Sequence, residues 1–520
     1  MKSTLYIAVV SNIIFEPHFP LLMKSYFSGN VQIYPIPYGE QNEDEYRKQI
    51  EGSDITIVWL NLEALYSNIC DDLNLHSTSD QRIIEEIVTP CKKLYAEISA
   101  YTNAHILWFS FEDYYMKTSI TTGNNYVTLI DKINLKLVNQ LSNRVEFIDL
   151  KRLIATVGLI NAYDAKGKYR WNAPYSKALI EAATKEIHKQ YLIENGVTKK
   201  CLVLDCDNAL WGGIVSEDGI ENLKLGSNGI GRIYKDFQRF VLTLYSHGVI
   251  LAICSKNDLS DVLTMFREHS EMVLKEEHIA CFQVNWEDKP SNIKKIAETL
   301  NIGLDSIVLV DDSPIEIEAV KAMLPGVTPI LFKRDMEYGQ FSCFNLKGNV
   351  SIADVDKRNE AYRTNGFREE LKAKYTDYVE YITALKVQID IHEALSIEYS
   401  RISELTQRTN KCTNGKRYTV AEIRKHIAYN TIKLYSVYVS DRFSDLGLVG
   451  AIEVKDNTLT LFSLSCRALG REVEGRTLSY IGDRHQINSI IYQSTGKNEA
   501  MKILFAKAFP NATLIDCDSI

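Results

Sequence analysis

Lys200 to Gly213 reads KCLVLDCDNALWGG. The apolar run Cys201 to Leu204 leads directly into Asp205 and Asp207, which are separated by one residue. Side chains along a strand alternate between its faces, so this spacing sends both carboxylates to the same side of a strand end. Two carboxylates that close repel each other unless a cation or a shared proton lies between them. The pair therefore reads as a Mg2+ and phosphoryl site. The alternative is turn chemistry, in which Asp and Asn only cap the end of a strand.

Three later segments favour the first reading. Leu251-Ala252-Ile253-Cys254-Ser255 is a second apolar run ending in a hydroxyl, followed by Lys256-Asn257-Asp258. Asn285-Trp286-Glu287-Asp288-Lys289-Pro290 offers a lysine just before a helix-like stretch, Ser291 to Leu300. Ile307-Val308-Leu309-Val310 then runs into Asp311-Asp312-Ser313-Pro314. This order of DxD, Ser, Lys and DD, each at or near a strand end, resembles the haloacid dehalogenase (HAD) superfamily of phosphotransferases. The closer resemblance is to its FkbH-like subfamily, carried by Asp205-Cys206-Asp207-Asn208-Ala209-Leu210-Trp211-Gly212-Gly213, Ser255-Lys256-Asn257-Asp258 and Asn285-Trp286-Glu287-Asp288-Lys289. It extends to Leu405 to Asn410 and to Ser465-Cys466-Arg467-Ala468-Leu469-Gly470-Arg471.

The resemblance implies an enzyme that loads a glyceryl unit from 1,3-bisphosphoglycerate, a small phosphorylated three-carbon substrate, onto an acyl carrier protein. It implies Asp205 as the nucleophile toward phosphorus and Asp207 as general acid and then base. Asp205, Asp207, Asp311 and Asp312 would hold Mg2+, with Asp312 and Glu316 in a DxxxD-like spacing. Ser255 would bond a phosphoryl oxygen and Lys289 would balance its charge. Asn208, Lys256, Asn257 and Arg467 are the expected substrate-binding residues. One departure stands out: Ala209 occupies the place of the family's usual threonine, and alanine cannot replace a hydroxyl's hydrogen bond. Trp211 reads equally as core packing or as a substrate wall.

The resemblance also implies a glyceryl thioester on an enzyme cysteine. Cys206 lies between carboxylates that would raise its pKa, whereas Cys466 precedes Arg467, which could stabilise a thiolate. Cys466 is therefore the expected acyl carrier and catalytic thiol, with Cys206 as the alternative. Arg467-Ala468-Leu469-Gly470-Arg471-Glu472 places a carboxylate where a pyrophosphate loop wants backbone amides, so a carrier-borne pantetheine arm suits the C-terminal region better than free coenzyme A. Arg408, Lys411, Lys416, Arg417, Arg424 and Lys425 form a basic stretch that could steer an acidic carrier protein, or simply a solvated face.

At 520 residues the chain exceeds one core. The expected class is a multidomain α/β protein. Residues 1–190 alternate strands and helices and resemble a non-catalytic SGNH-like domain, since Asp149-Leu150-Lys151-Arg152 and Asp164-Ala165-Lys166-Gly167 lack the histidine such a site needs. Residues 196–345 would form the HAD-like Rossmannoid parallel sheet. Residues 346–385 read as a helical linker, with one helix over Lys357 to Leu385. Residues 386–520 resemble a GNAT-like α+β acyltransferase domain. A hydrophobic share of 45% and a charged share of 24% are those of ordinary globular proteins. The net charge of −8 argues against nucleic-acid binding. No long uncharged apolar run marks a membrane span. Ten cysteines without CxxC pairing argue against a zinc ribbon and suit a reducing cytoplasm. Two alternatives stay open: a phosphatase of another phosphate ester, and a non-catalytic scaffold that binds a carrier protein.

Overall fold

The computed structural model describes residues 4–15, 17–27, 30–66, 80–102, 104–112, 124–141, 145–195, 197–346, 352–364, 368, 371, 374–427, 432–465 and 468–517. The chain forms two compact units, Met1–Leu192 and Ile193–Ile520.

The first unit is built on strands β1 (Thr4–Ser11), β2 (Asn30–Pro37), β3 (Ile55–Trp59), β4 (His105–Phe109) and β5 (Val145–Ile148). They form one parallel sheet in the order β2-β1-β3-β4-β5. The helix Asp80–Tyr101 buries Ile83, Ile87, Cys91, Leu94 and Ile98, the i, i+4 stripe of an amphipathic helix. Strand β2 carries Pro35 and Pro37, which an edge strand tolerates because an outward-facing N–H is not needed there. The Ser11 hydroxyl is spent within its own turn, accepting from the Ile13 N–H and donating to the Ile13 carbonyl, each at 3.0 Å.

The second unit opens with β6 (Cys201–Leu204), β7 (Ile250–Ser255), β8 (Ile279–Val284), β9 (Ile307–Asp311) and β10 (Thr328–Leu331). These strands are all parallel, in the order β10-β9-β6-β7-β8. β6 lies between β7 and β9 and is fully buried, which is why its sequence is a continuous apolar run rather than an alternation. Parallel pairing puts every carboxyl end at one edge of the sheet. Asp205, Ser255 and Asp311 are therefore neighbours although they lie far apart in sequence.

A third sheet follows, from β11 (Gln388–Glu393), β12 (Cys412–Thr413), β13 (Ile432–Ser440), β14 (Asp445–Lys455), β15 (Thr458–Leu464), β16 (Ser489–Tyr492) and β17 (Thr513–Asp516). The pairs β11-β13-β14-β15 are antiparallel and β15-β16-β17 parallel. β15 and β16 pair only at Thr458–Ser489 and Leu459–Ile490 and then part. Asn414 fills the opening: its amide donates to the Thr460 and Ile491 carbonyls at 2.9 and 3.0 Å, and its side-chain oxygen accepts from the Phe462 N–H at 3.0 Å.

Within the stretch expected to form one helix, Lys357 to Leu385, the described residues include the end of one helix, Ile352–Arg363, and a later one, Tyr378–Leu385, while residues 365–367, 369–370 and 372–373 lie outside the described residues. The second starts afresh where the Asp377 carboxylate caps the Val379 N–H at 2.9 Å. Asp441 is a structural anion: it takes the Arg368 guanidinium at 2.8 and 3.1 Å and the backbone N–H groups of Phe443 and Ser444. Among the described residues no helix is long and apolar enough to cross a membrane.

Candidate active site

Asp205 follows β6 and is anchored by its own N–H, which donates to the Val310 carbonyl of β9 at 2.9 Å. Asp311 ends β9 and is fully buried, with its carboxylate accepting from the Ser313 N–H at 2.9 Å. Lys289, the first residue of the helix Lys289–Thr299, is 3% exposed. Its ammonium sits 3.1 Å from the Asp205 carboxylate and also pairs with Asp311. Carboxylate oxygens of Asp205, Asp311 and Asp312 lie within 4.8 Å of one another, a grouping able to hold a metal ion. With Lys289 the four groups carry a formal charge of −2.

The electrostatics follow from burial. Desolvation pushes the Asp205 carboxyl above its ordinary range and Asp311 adds to the rise, while Lys289 and the Ser255 hydroxyl pull the other way. Asp312 is likewise raised, first by burial and then by Asp311. Burial alone would lower Lys289, yet Asp205 and Asp311 outweigh it and hold the ammonium charged.

The Asp207 side chain lies outside the three-carboxylate grouping, although the resemblance implies that all four acids share one ion. Its Oδ1 accepts from the Trp211 indole N–H at 2.8 Å and the Val215 N–H at 3.3 Å, and its Oδ2 from the Asn257 amide at 3.0 Å. Asn257 also reaches the Ser255 hydroxyl at 3.2 Å, so it joins the two β7-proximal groups to Asp207. Trp211 is thus both a core residue and the donor that aims Asp207. The signal available in the sequence was the four-residue step from Asp207 to Trp211, whose indole N–H seeks a partner when buried.

The other expected residues divide clearly. Asn208 has a left-handed backbone (φ 53°) and its side chain accepts from the Gly213 N–H at 3.1 Å, closing the turn. Gly212 is needed for close approach, since a Cβ there would meet the Tyr234 ring at 2.6 Å. Ala209 is fully buried in an apolar cluster with Leu210 and Trp211, where a methyl group fits. Lys256 is exposed and its ammonium pairs with Glu316 at 2.6 Å, so Glu316 is turned to Lys256. Cys206 is fully buried, and burial first, then Asp205 and Asp207, push its thiol well above the ordinary range; it is unsuited to form a thiolate. Cys466 and Arg467 lie outside the described residues.

No family model and no curated protein matches the chain. Among solved structures, the chain is similar to the N-terminal part of the protein BF1531 from Bacteroides fragilis, which contains a phosphatase domain and was crystallised in complex with Mg. The two are 26% identical, the match covers 66% of this chain and 94% of that one, and the TM-score is 0.58. The fold around the carboxylates is HAD-like. A lipase from a goat rumen metagenome matches 35% of this chain and 95% of its own at 15% identity and a TM-score of 0.27, a likeness too slight to bear on this protein.

The basic stretch is only partly a surface feature. Arg408 pairs with Glu404 at 3.0 Å and donates to the Gly248 carbonyl at 2.9 Å. Arg417 is spent on the Thr406 and Gln407 carbonyls and on Asn410. Lys411 and Arg424 are exposed, and the side chain of Lys425 lies outside the described residues.

Proposed function

We propose that this chain is a Mg2+-dependent phosphoryl hydrolase or transferase of the HAD type. One observation carries the reading: three carboxylates from two strand ends converge within 4.8 Å, with a buried lysine between two of them. The residual charge of −2 and the all-oxygen donor set fit a hard divalent cation. Asp205, Asp311 and Asp312 would hold Mg2+, whose charge would screen Asp205 from an incoming phosphate.

Asp205 would attack phosphorus, forming an acyl phosphate as the bond to the ester oxygen breaks. Asp207 would give its proton to that leaving oxygen and later take one from the attacking water. The donors from Trp211, Val215 and Asn257 fix its direction. Ser255 and Lys289 would orient the phosphoryl oxygens and offset their charge. The Mg complex of the BF1531 phosphatase-containing part supports the reading as a Mg2+-dependent phosphatase. The test is hydrolysis of a generic phosphate monoester: the wild type should turn over only with Mg2+, and Asp205→Asn should lose ~10³-fold or more. Undiminished turnover by Asp205→Asn would remove the site from consideration.

The finer reading is a cytoplasmic glyceryl transferase that removes the 3-phosphate of 1,3-bisphosphoglycerate and places the glyceryl group on an acyl carrier protein, through Cys466 and with Arg467 beside it. The motif resemblance supports it, as does the inert state of Cys206. In this reading the first unit is SGNH-like and non-catalytic, in keeping with the internally bonded Ser11 hydroxyl, and the last sheet is a GNAT-like acyltransferase fold. Incubation with 1,3-bisphosphoglycerate, Mg2+ and holo carrier protein should add a glyceryl mass to the carrier, and Cys466→Ala should abolish it. Phosphate release without carrier loading would leave only the hydrolase.

A further inference from the structure

At the amino-terminal edge of the β6–β10 sheet, opposite the carboxylates, lies a cavity of about 80 Å3. Its walls come from Lys200, Ile250 and Ser306 at the starts of β6, β7 and β9, and from the helix Tyr399–Arg408 with the segment that follows it. The cations around it are Lys200, Arg358, Arg401, Arg408, Lys411 and Lys497. Lys497 is matched by Asp305.

The three arginines share a single carboxylate. Glu404 pairs with Arg358 at 3.3 Å, with Arg408 at 3.0 Å, and with Arg401. Helical spacing produces this arrangement, since residues 401, 404 and 408 lie on one face of their helix. Arg358 arrives from the helix Ile352–Arg363 and is 7% exposed. Arg358 and Arg408 also both donate to the Gly248 carbonyl, at 2.5 and 2.9 Å. Gly248 permits this by having no side chain: at φ +84° a Cβ would stand 2.3 Å from the Arg358 guanidinium and 2.9 Å from that of Arg408. The Lys200 ammonium donates to the Arg408 carbonyl at 2.8 Å.

The cluster of Arg358, Arg401, Arg408 and Glu404 therefore holds a formal +2 in a largely desolvated place. Arg358 pays for its burial and for the nearness of Arg408 with a pKa lowered to about 10, yet it stays charged at neutral pH. Like charges gathered out of water are unfavourable unless an anion completes them. The guanidinium fork matches phosphate oxygens in pairs, and a dianion balances +2. About 80 Å3 is room for several waters, hence for an oxyanion of phosphate size.

We propose that this cavity is a second, metal-independent binding site for a dianionic phosphate group, either the free ion or a phosphate monoester, held by the Arg358, Arg401 and Arg408 guanidiniums with Lys411 at the rim. Five residues of nearly extended chain separate Lys200 from Asp205, roughly 16 Å, so a phosphate here is not the one that meets Asp205. The inference does not depend on the reading of the carboxylate site.

Calorimetric titration of the full chain in EDTA, with inorganic phosphate in one arm and phenylphosphonate in the other, tests it. One ion should bind per chain without Mg2+. Arg401→Gln and Lys411→Gln should each weaken binding by several-fold to about tenfold, while leaving Mg2+-dependent phosphatase activity unchanged. Glu404→Gln, which raises the local charge, should tighten it. Binding of both probes identifies a site for esterified phosphate, and binding of phosphate alone a site for the free ion. Melting temperatures of the unliganded variants separate loss of fold from loss of binding, and exposed Lys411 gives a variant that does not disturb the arginine cluster. Absence of phosphate binding in EDTA, or affinities that ignore all three substitutions, overturns the proposal.

Discussion

Replacing Lys289 by methionine isolates the central electrostatic claim. Methionine keeps most of the volume, so the cavity contribution is small. What disappears is the cation between Asp205 and Asp311, taking the formal charge of the four-residue group from −2 to −3. At an effective dielectric of about 20, a contact near 3 Å is worth roughly 5 kcal/mol of attraction before desolvation is subtracted. Removing one partner from a buried pair generally costs ~3–5 kcal/mol. Lys289→Met should therefore be destabilised by about that much in urea unfolding followed in EDTA. Mg2+ should restore more stability to the variant than to the wild type, because the emptied site attracts a cation more strongly. A tenfold gain in affinity adds ~1.4 kcal/mol at equal Mg2+. Phosphatase turnover should nevertheless fall, since a methyl thioether cannot offset phosphoryl charge. The pH dependence has a fixed sign. The folded-state Asp205 carboxyl already lies above its ordinary value of 3.8. Without Lys289 it rises further, so the variant's deficit is full above that raised value and shrinks as pH falls through it. A loss under ~1 kcal/mol in EDTA, or equal stabilisation of both proteins by Mg2+, would refute the buried-cation account.

Two further substitutions probe the surroundings. Trp211→Phe keeps the ring in its buried place but deletes the 2.8 Å donor to Asp207; it should cost about 1 kcal/mol of stability and lower turnover about tenfold with little change in KM, read from steady-state kinetics and denaturation together. Gly415→Ala should cost ~2–4 kcal/mol in denaturant unfolding, because φ is +90° and the new Cβ would lie 2.0 Å from the Gln493 carbonyl oxygen, a backbone atom that cannot swing away.

The parts of this protein that were readable in its sequence share a physical cause. β6, β7 and β9 are buried on both faces, so each is an uninterrupted apolar run, and the first polar residue after it marks the carboxyl edge. That is why Asp205, Ser255 and Asp311 can be grouped from the sequence alone. Asp207 could not be placed by the same rule. Alternation gives its side of the strand, but the direction of its carboxylate is set by Trp211, Val215 and Asn257, and the last of these comes from a different strand end. Asn208 is expected from the resemblance as a substrate-binding residue, and the structure gives it a turn role as well: a left-handed backbone and a bond from the Gly213 N–H. Arg408 and Arg417 looked like surface charge because composition does not reveal which carbonyls a long side chain can reach across a packed interface.

The two ends of one short strand define the chemistry available to the second unit. At the carboxyl end of β6 an excess of negative charge gathers around Lys289; at the amino end an excess of positive charge gathers around Glu404. Each excess is unfavourable alone, and each is relieved by an ion of opposite sign rather than by the other end, since roughly 16 Å of packed apolar strand lies between them. Independent ions imply independent energetics. Lys289→Met and Arg401→Gln combined should lose the sum of their separate stabilities to within ~0.5 kcal/mol, as sites this far apart without shared partners normally do. A larger departure from additivity would mean that the sheet transmits the occupancy of one edge to the other, and the phosphate bound at the base would then regulate the carboxylate site.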